Sequence, residues 1–337
     1  MSGLEISVVI PTYNRANLTP RAVNSALASI QPGDEVIVVD DGSTDDTPAR
    51  LASFGARIRY AQIPHAGAGA ARNHGISMAD KPLVAFLDSD DVWMPDKLDM
   101  QRCLMERRPD VVFCFSDFVS RESSADIHHY LRHWHQDPRS WDEILGAGER
   151  YSDIAPLPDN RTDFRVHFGS LYLPELERDY VATFTMMVRR EQAGSALHFA
   201  EDVVTCEDWE CFARLARSGT AAYMDCDTAW QYGHSGPRLT DDNANGVNRA
   251  TWRLRILERV WGSDAAFLAE HGDRYARVCQ RYRLQRAKSL LHQGQSRLAR
   301  DDLRHCTGVP WRYRFAAAMP ASLIGGLLGL RRRLRTG

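Results

Sequence analysis

Three absences bound what this chain of 337 residues can be. Its seven cysteines are odd in number and include no C-x-x-C pair, so neither a disulfide framework nor a structural zinc site is expected. No G-x-x-x-x-G-K-S/T occurs, which removes the phosphate-cradling loop of P-loop enzymes. The apolar run Phe315 to Leu330 is too short to cross a membrane: as a helix it reaches about 24 Å against a hydrocarbon core of about 30 Å. A strand begins by Ile6, leaving no room ahead of it for a secretory leader, and the reading is of a reduced, cytoplasmic protein.

What is present is an ordinary soluble composition, 44% apolar and 26% charged, able to build a core in one large domain with an appendage or in two domains. The net charge of −2 hides an asymmetry. Residues 251–337 hold 18 Arg or Lys against 6 Asp or Glu, a balance of +12, which leaves −14 for residues 1–250. The acidic front argues against nucleic acid, and the basic back suits an anionic surface such as a membrane or an acidic partner.

The front half alternates apolar runs with helical spacing. Ile6 to Ile10, Glu35 to Val39, Ile58 to Ile63, Leu83 to Leu87 and Val111 to Phe115 read as strands. Thr19-Pro20 reads as a helix start before Ala22, Val23, Ala26, Leu27 and Ile30. This order predicts an α/β fold with a mostly parallel sheet flanked by helices, and ligands gather at the carboxyl ends of such strands. Those ends are rich in chemistry. Leu87 is followed by Asp88-Ser89-Asp90-Asp91, three acids in four residues; a solvated Asp-rich turn would have this composition, and so would a site for a hard divalent cation. Gly67-x-Gly69 opens a helix after a strand, but Arg72 stands where a dinucleotide fingerprint needs its third glycine.

Four segments, Ser7-Val8-Val9-Ile10-Pro11-Thr12-Tyr13-Asn14-Arg15, Val38-Val39-Asp40-Asp41-Gly42-Ser43-Thr44-Asp45, Ala70-Ala71-Arg72-Asn73-His74-Gly75-Ile76 and Phe86-Leu87-Asp88-Ser89-Asp90-Asp91, resemble the family 2 glycosyltransferases of the GT-A fold in order and spacing. The resemblance weakens after residue 91 and lapses near residue 240. It implies a catalytic domain over 1–245, with a nucleotide-binding half to about 115 and an acceptor-side half after it, and a helical extension over 246–337. It further implies an inverting transfer from a nucleotide-sugar donor with Mn²⁺ or Mg²⁺. On that model Pro11, Thr12, Tyr13, Arg15, Arg72, Asp88 and Ser89 line the nucleotide-sugar pocket, and Asp41 accepts the ring N–H of uracil or thymine while Asp40 shapes the turn. Asp90 coordinates the metal, with Asp88 and Asp91 beside it.

A second cluster, Thr205-Cys206-Glu207-Asp208-Trp209-Glu210, precedes a helical face of Trp209, Phe212, Leu215 and Ala216. Acids in a first turn also compensate the helix dipole without doing chemistry. The resemblance makes Asp208 the base that deprotonates the acceptor hydroxyl and Glu207 its support. Trp230-Gln231-Tyr232-Gly233-His234 resembles the end of the family's catalytic domain and offers His234 as a third metal or diphosphate ligand. Val181 to Val188 reads as a returning strand. Residues 116–180 carry His128, His129, His133 and His135 without a glutamate to complete H-E-x-x-H, so solvated or acceptor-facing histidines are expected. Trp134, Trp141 and Tyr151 are available there to stack on sugar faces. Beyond 245 the helices around Tyr275 to Leu291 and Ser296 to Cys306 form a hairpin suited to packing or homodimer contact. The apolar run after Arg312 and Arg314 and before Arg331, Arg332, Arg333 and Arg335 reads as a peripheral anchor on anionic lipid at the inner face of a membrane. A glycan or lipid-linked acceptor in surface polysaccharide synthesis fits such an enzyme. The other readings are a non-catalytic nucleotide-sugar or carbohydrate binder on the same fold, and a nucleotidyltransferase, whose glycine- and lysine-rich amino-terminal signature is absent.

Overall fold

The computed structural model describes residues 3–121, 125–203, 205–232 and 246–319. Two compact units arise: residues 1–202 with 207–235, and residues 203–206 with 236–337.

The first unit is built on one mixed sheet whose strands are β1 (Ile6–Thr12), β2 (Glu35–Asp40), β3 (Arg59–Gln62), β4 (Leu83–Phe86), β5 (Val92–Trp93), β6 (Val111–Arg121), β7 (Asp126–Ile127), β8 (Glu149–Arg150), β9 (Arg165–Gly169), β10 (Met187–Arg189) and β11 (Thr220–Tyr232). Their order is β3-β2-β1-β4-β10-β6-β11-β9-β8, with β5 on β11 and β7 on β6. β3, β2, β1 and β4 are parallel, as expected of alternating strands and helices. β10 then enters antiparallel between β4 and β6, and β9 pairs antiparallel with β11.

All seven residues of β1 are buried, and full burial of each of its aliphatic side chains is worth about 1.5–3 kcal/mol. The helix Ala68–Met78 lies close enough to β1 that a Cβ on Gly75 would clash with Val9 Cγ1; only glycine fits that crossing. Thr19 is the first residue inside the helix Thr19–Ser29, whose cap position is Leu18. Its hydroxyl meets Thr12 Oγ1 at 2.7 Å and the Arg15 carbonyl at 3.0 Å, tying the helix start to the end of β1.

The strand expected over Val181 to Val188 is a 3₁₀ turn at Thr183–Thr185 followed by the three residues of β10. The backbone there serves side chains instead of a ladder. The Phe184 carbonyl accepts Trp93 Nε1–H at 2.7 Å and the Thr185 carbonyl accepts Gln101 Nε2–H at 2.8 Å.

The second unit is helical: Gly246–Leu257, a π turn at Glu258–Gly262, Ala265–His292, Ser296–Arg304 and Trp311–Ala318. Ala287, Leu290, Leu291, Ala299, Leu303 and Ala317 form its small core around the last three helices, and Arg286 grips Asp302 through two nitrogens at 2.8 and 2.5 Å. No helix among the described residues is long and apolar enough to cross a membrane. Residues 320–337, most of the sequence-predicted lipid anchor, lie outside the described residues.

Candidate active site

The carboxyl ends of β1 and β2 are laced together. Asn14, in the left-handed region at φ 49°, donates its N–H to Ser43 Oγ and accepts the Thr44 N–H, both at 2.8 Å. The Asp41 N–H reaches the Thr12 carbonyl at 2.8 Å. Gly42 turns the chain with φ +77°, where a Cβ would lie 2.9 Å from the His65 nitrogen. Asp40 is fully buried and accepts the Ser43 N–H at 2.8 Å and the Tyr60 hydroxyl at 2.9 Å. Asp41 is 2% exposed. Its Oδ1 accepts the Ala66 N–H at 2.7 Å, and its Oδ2 meets the Gly67 N–H at 2.9 Å and His65 Nδ1 at 2.8 Å. The His65 ring stacks on Tyr13 with centroids 4.1 Å apart, so an imidazole covers Asp41 on the side of the exposed Tyr13.

The acid triplet follows β4, next to β1. Asp88 and Asp90 keep 27% and 26% of their side chains exposed, whereas Asp91 is buried and its Oδ1 accepts the Tyr232 N–H at 3.2 Å. Burial, then repulsion from Asp90 and Asp88, pushes the Asp91 carboxyl well above its usual range. Arg21 donates to the Asp90 carbonyl at 2.7 Å while its guanidinium lies over the Tyr232 ring at 3.8 Å. The end of β11 is thereby fixed against the triplet. Arg15 approaches Asp90 to 3.9 Å.

Arg72 forms the central brace. Its Nη2 donates to Asp88 and its Nη1 to Glu207, both at 2.9 Å, with the guanidinium side chain 8% exposed. Burial alone would depress this group, but Asp88, Glu207 and Asp208 raise it. Burial, with repulsion from Asp90 and Asp208 and against the attraction of Arg72, raises Asp88. Glu207 is pushed up to about 7 by burial and then by Asp208, with Arg72 opposing. Asn73, one residue on, mimics a strand neighbour: its side chain accepts the Phe199 N–H and donates to the Phe199 carbonyl, both at 2.8 Å, and donates to Glu201 at 2.8 Å.

Glu207 and Asp208 open the helix Glu207–Ser218. Asp208 is half-buried and its Oδ1 accepts the Trp209 N–H at 2.8 Å. Trp209 is itself buried and donates Nε1–H to the Glu175 carbonyl at 3.0 Å. The Glu175 carboxyl, fully buried, is raised well above its usual range by burial and then by Asp179. Two partly exposed carboxylates at a strand end therefore face a helix start bearing two more, with one arginine spanning them.

The sequence model of "Glycosyl transferase family 2" matches residues 7–173, a span that holds the laced loops, the acid triplet and Arg72. The chain belongs to the family 2 glycosyltransferases. The succinoglycan biosynthesis protein ExoU of Rhizobium meliloti is 26% identical over 334 residues, 96% of this chain and 87% of ExoU. The GT-A fold is shared with solved transferases. TarS 1–349 of S. aureus, in complex with UDP-GlcNAc, matches with TM-score 0.60 at 15% identity, covering 93% of this chain and 90% of TarS 1–349. The mannosyltransferase PcManGT from Pyrobaculum calidifontis, in complex with GDP-Man and Mn²⁺, matches with TM-score 0.51 at 17% identity, covering 100% of this chain and 83% of PcManGT. The chain spans 15–39% of the length of the curated relatives it matches at 33–41% identity.

In this family 2 glycosyltransferase the expected site residues fall into one zone at the ends of β1, β2 and β4, joined by Arg72 to Glu207 and Asp208. His234 lies outside the described residues. The four clustered histidines do not converge. His128 pairs with Asp227 at 2.7 Å, His133 stacks on Tyr130, and His135 is buried and pushed down to about 4 by burial. His129 is raised to about 10 by Asp117 and then Asp225. Those three offer ligand atoms within 4.8 Å of one another. Yet the Tyr223 hydroxyl spans both acids at 2.8 and 3.1 Å, and the Phe118 and Leu131 N–H groups fill Asp117 at 2.8 and 2.9 Å, so the cluster is satisfied by its own protein. Of the aromatics expected to stack on sugars, Trp141 and Tyr151 are core residues, and Trp134 is 39% exposed. Sequence reasoning missed Arg21, Tyr60, His65 and the bracing role of Asn73. Only Asn73 had a signal, its place beside Arg72 in a quoted motif.

Proposed function

We propose that this chain transfers a sugar, with inversion, from a nucleoside-diphosphate donor to a hydroxyl of a glycan or lipid-linked acceptor in polysaccharide synthesis. The observation that carries the reading is the span Asp88–Arg72–Glu207, with Asp208 at the same helix start and Asp90 two residues beyond Asp88. It sets a leaving-group site and a proton acceptor within one arginine's reach.

Asp90 and Asp88 supply an all-oxygen donor set, partly exposed, that fits Mn²⁺ or Mg²⁺. The ion, when bound, stabilises charge on the departing diphosphate. Asp91, turned inward onto Tyr232, holds the chain beside that set, and His234, two residues beyond Tyr232, is the third ligand in this reading. Arg72 adds fixed positive charge where negative charge develops and orients Asp88 and Glu207. Asp208 takes the acceptor proton as the new bond forms, with Glu207 in support.

Pro11, Thr12, Tyr13, Arg15 and Ser89 line the donor side. Asp41 Oδ1 takes one N–H, and a carboxylate oxygen accepts two, so the ring N–H of uracil or thymine is the partner this reading gives it. A base that reaches Asp41 displaces His65 from its 2.8 Å contact and takes its place on Tyr13. Donor binding raises apparent stability by mass action, so a thermal-shift screen of UDP-, dTDP- and GDP-sugars with Mn²⁺ identifies the donor. Transfer by wild type and its loss in Asp208→Asn, with the donor-induced shift retained, supports the mechanism. Full transfer by Asp208→Asn refutes the base assignment. A donor-induced shift without transfer or donor hydrolysis, with or without Mn²⁺, would make the chain a binding protein.

A further inference from the structure

The last described helix, Trp311–Ala318, is two-faced in a way its own unit does not use up. Tyr313, Ala316 and Ala317 pack on the small core of the helical unit. The opposite side carries Trp311 at 77% and Phe315 at 60% exposure, one turn apart with ring centroids 6.3 Å from each other. Arg312 and Arg314, both exposed, flank them. On the preceding helix Leu298 is 54% exposed between Arg297 and Arg300, and these three residues line a shallow groove of about 340 Å³ that ends at Met319. Of the six large hydrophobics exposed among the described residues, three sit in these two short helices.

We infer that the helix face bearing Trp311 and Phe315 is a docking surface for an anionic bilayer, with the two aromatic rings entering the headgroup–acyl boundary. This deepens the acceptor reading above by naming where a lipid-linked acceptor would be met. Three observations favour lipid over a protein partner. Aromatic side chains interleaved with arginine are the composition of interfacial helices, because the rings tolerate the boundary and the guanidinium groups pair with lipid phosphates. The charge is matched: residues 251–337 carry +12, and basic residues near an anionic surface are drawn to it at ordinary salt. The chain beyond Met319 continues the same chemistry in sequence, an uncharged run to Leu330 followed by four arginines among five residues. A single weak anchor holds poorly, whereas an apolar insertion combined with a basic patch holds stably.

The test is co-sedimentation of the full-length chain with vesicles of phosphatidylcholine alone or with 30% phosphatidylglycerol, without nucleotide-sugar, so that the outcome is independent of catalysis. Binding is expected on the anionic vesicles only, falling as sodium chloride is raised from about 50 to 500 mM because the interaction is screened. Trp311→Ala/Phe315→Ala removes two exposed rings without touching the core and is expected to weaken partition by at least about tenfold. Arg312→Glu/Arg314→Glu is expected to do the same at low salt while leaving thermal unfolding unchanged. Failure of wild type to bind anionic vesicles overturns the inference, as does equal binding by the aromatic variant. A concentration-dependent dimer without lipid, abolished by Trp311→Ala/Phe315→Ala, would assign the face to a second copy of the chain instead.

Discussion

Replacing Arg72 by methionine tests whether the brace between Asp88 and Glu207 is structural as well as functional. The guanidinium makes two charge-assisted contacts at 2.9 Å, its side chain and that of Glu207 being 8% and 10% exposed and that of Asp88 27%. Removing one partner of a buried pair costs about 3–5 kcal/mol, mostly because the other charges stay behind unpaired; the exposure of Asp88 places Arg72→Met nearer the lower end. Once the cation is gone, Glu207 gains by becoming neutral, so Arg72→Met/Glu207→Gln is expected to recover about 0.5–3 kcal/mol, the range of coupling between residues in one network. The assay is urea unfolding of the four proteins of the cycle, read by the near-ultraviolet circular dichroism of the buried aromatics. The pH dependence supplies an independent check. Without Arg72 the folded-state pKa of Glu207 rises further above its unfolded value, and stability from a raised acid is present at low pH and lost as pH climbs through the folded pKa. Arg72→Met should therefore lose more stability relative to wild type at pH 8 than at pH 5. A coupling energy near zero together with a pH-independent loss would refute the brace.

Other outcomes follow from neighbouring residues. Asp90→Asn is expected to abolish Mn²⁺-stimulated transfer, with a lost Mn²⁺-dependent thermal shift as the check, while Asp91→Asn, whose Oδ1 can still accept the Tyr232 N–H and which removes a buried charge repelled by Asp88 and Asp90, is expected to unfold at neutral pH no earlier than wild type. Lys97 is fully buried against Gln101 and the Trp93 ring, and burial lowers it to about 7. Between that value and its unfolded pKa of 10.5 the unfolded chain holds the extra proton, so this residue makes stability rise with pH there. Lys97→Met is expected to flatten the rise between pH 7 and 10, measured as unfolding midpoints across that range. Asp208→Asn should lower kcat by about 10²–10⁴, the usual worth of a general base, with little change in donor affinity.

The nucleotide-binding side was legible from sequence because its chemistry follows continuous apolar runs with acids and glycines at their ends: β1, β2 and β4 appear where those runs stand, and Asp40 shapes the turn expected of it. What was illegible depended on distant partners. Arg72 read as a donor-binding residue, and nothing in its neighbourhood names Glu207, 135 residues away, as its second partner. Val181 to Val188 has the residues of a strand, but Trp93 and Gln101 capture the carbonyls of Phe184 and Thr185, and tertiary hydrogen bonds override propensity. His135 lies among polar neighbours in sequence and is buried beside Trp141 and Tyr180, a placement no local pattern encodes.

The bracing by Arg72 and Asn73 bears on how such an enzyme can diversify. Both side chains leave one helix, Ala68–Met78, and reach Phe199, Glu201 and Glu207 directly, so the helix start with Asp208 is tied to the donor side at its first residue. The intervening residues 126–164 are bound into the same frame at many points: β7 pairs with β6, His128 with Asp227, the Leu131 N–H with Asp117, Arg161 with Asp96 and the Asp227 carbonyl, and Trp141 stacks on Tyr223. They are part of the chassis, not a cassette set upon it. Acceptor preference is therefore expected to shift by substitution at the exposed Trp134, with donor hydrolysis kept, whereas exchanging the whole segment would take Leu131 and Trp141 out of the core and is expected to cost the fold first.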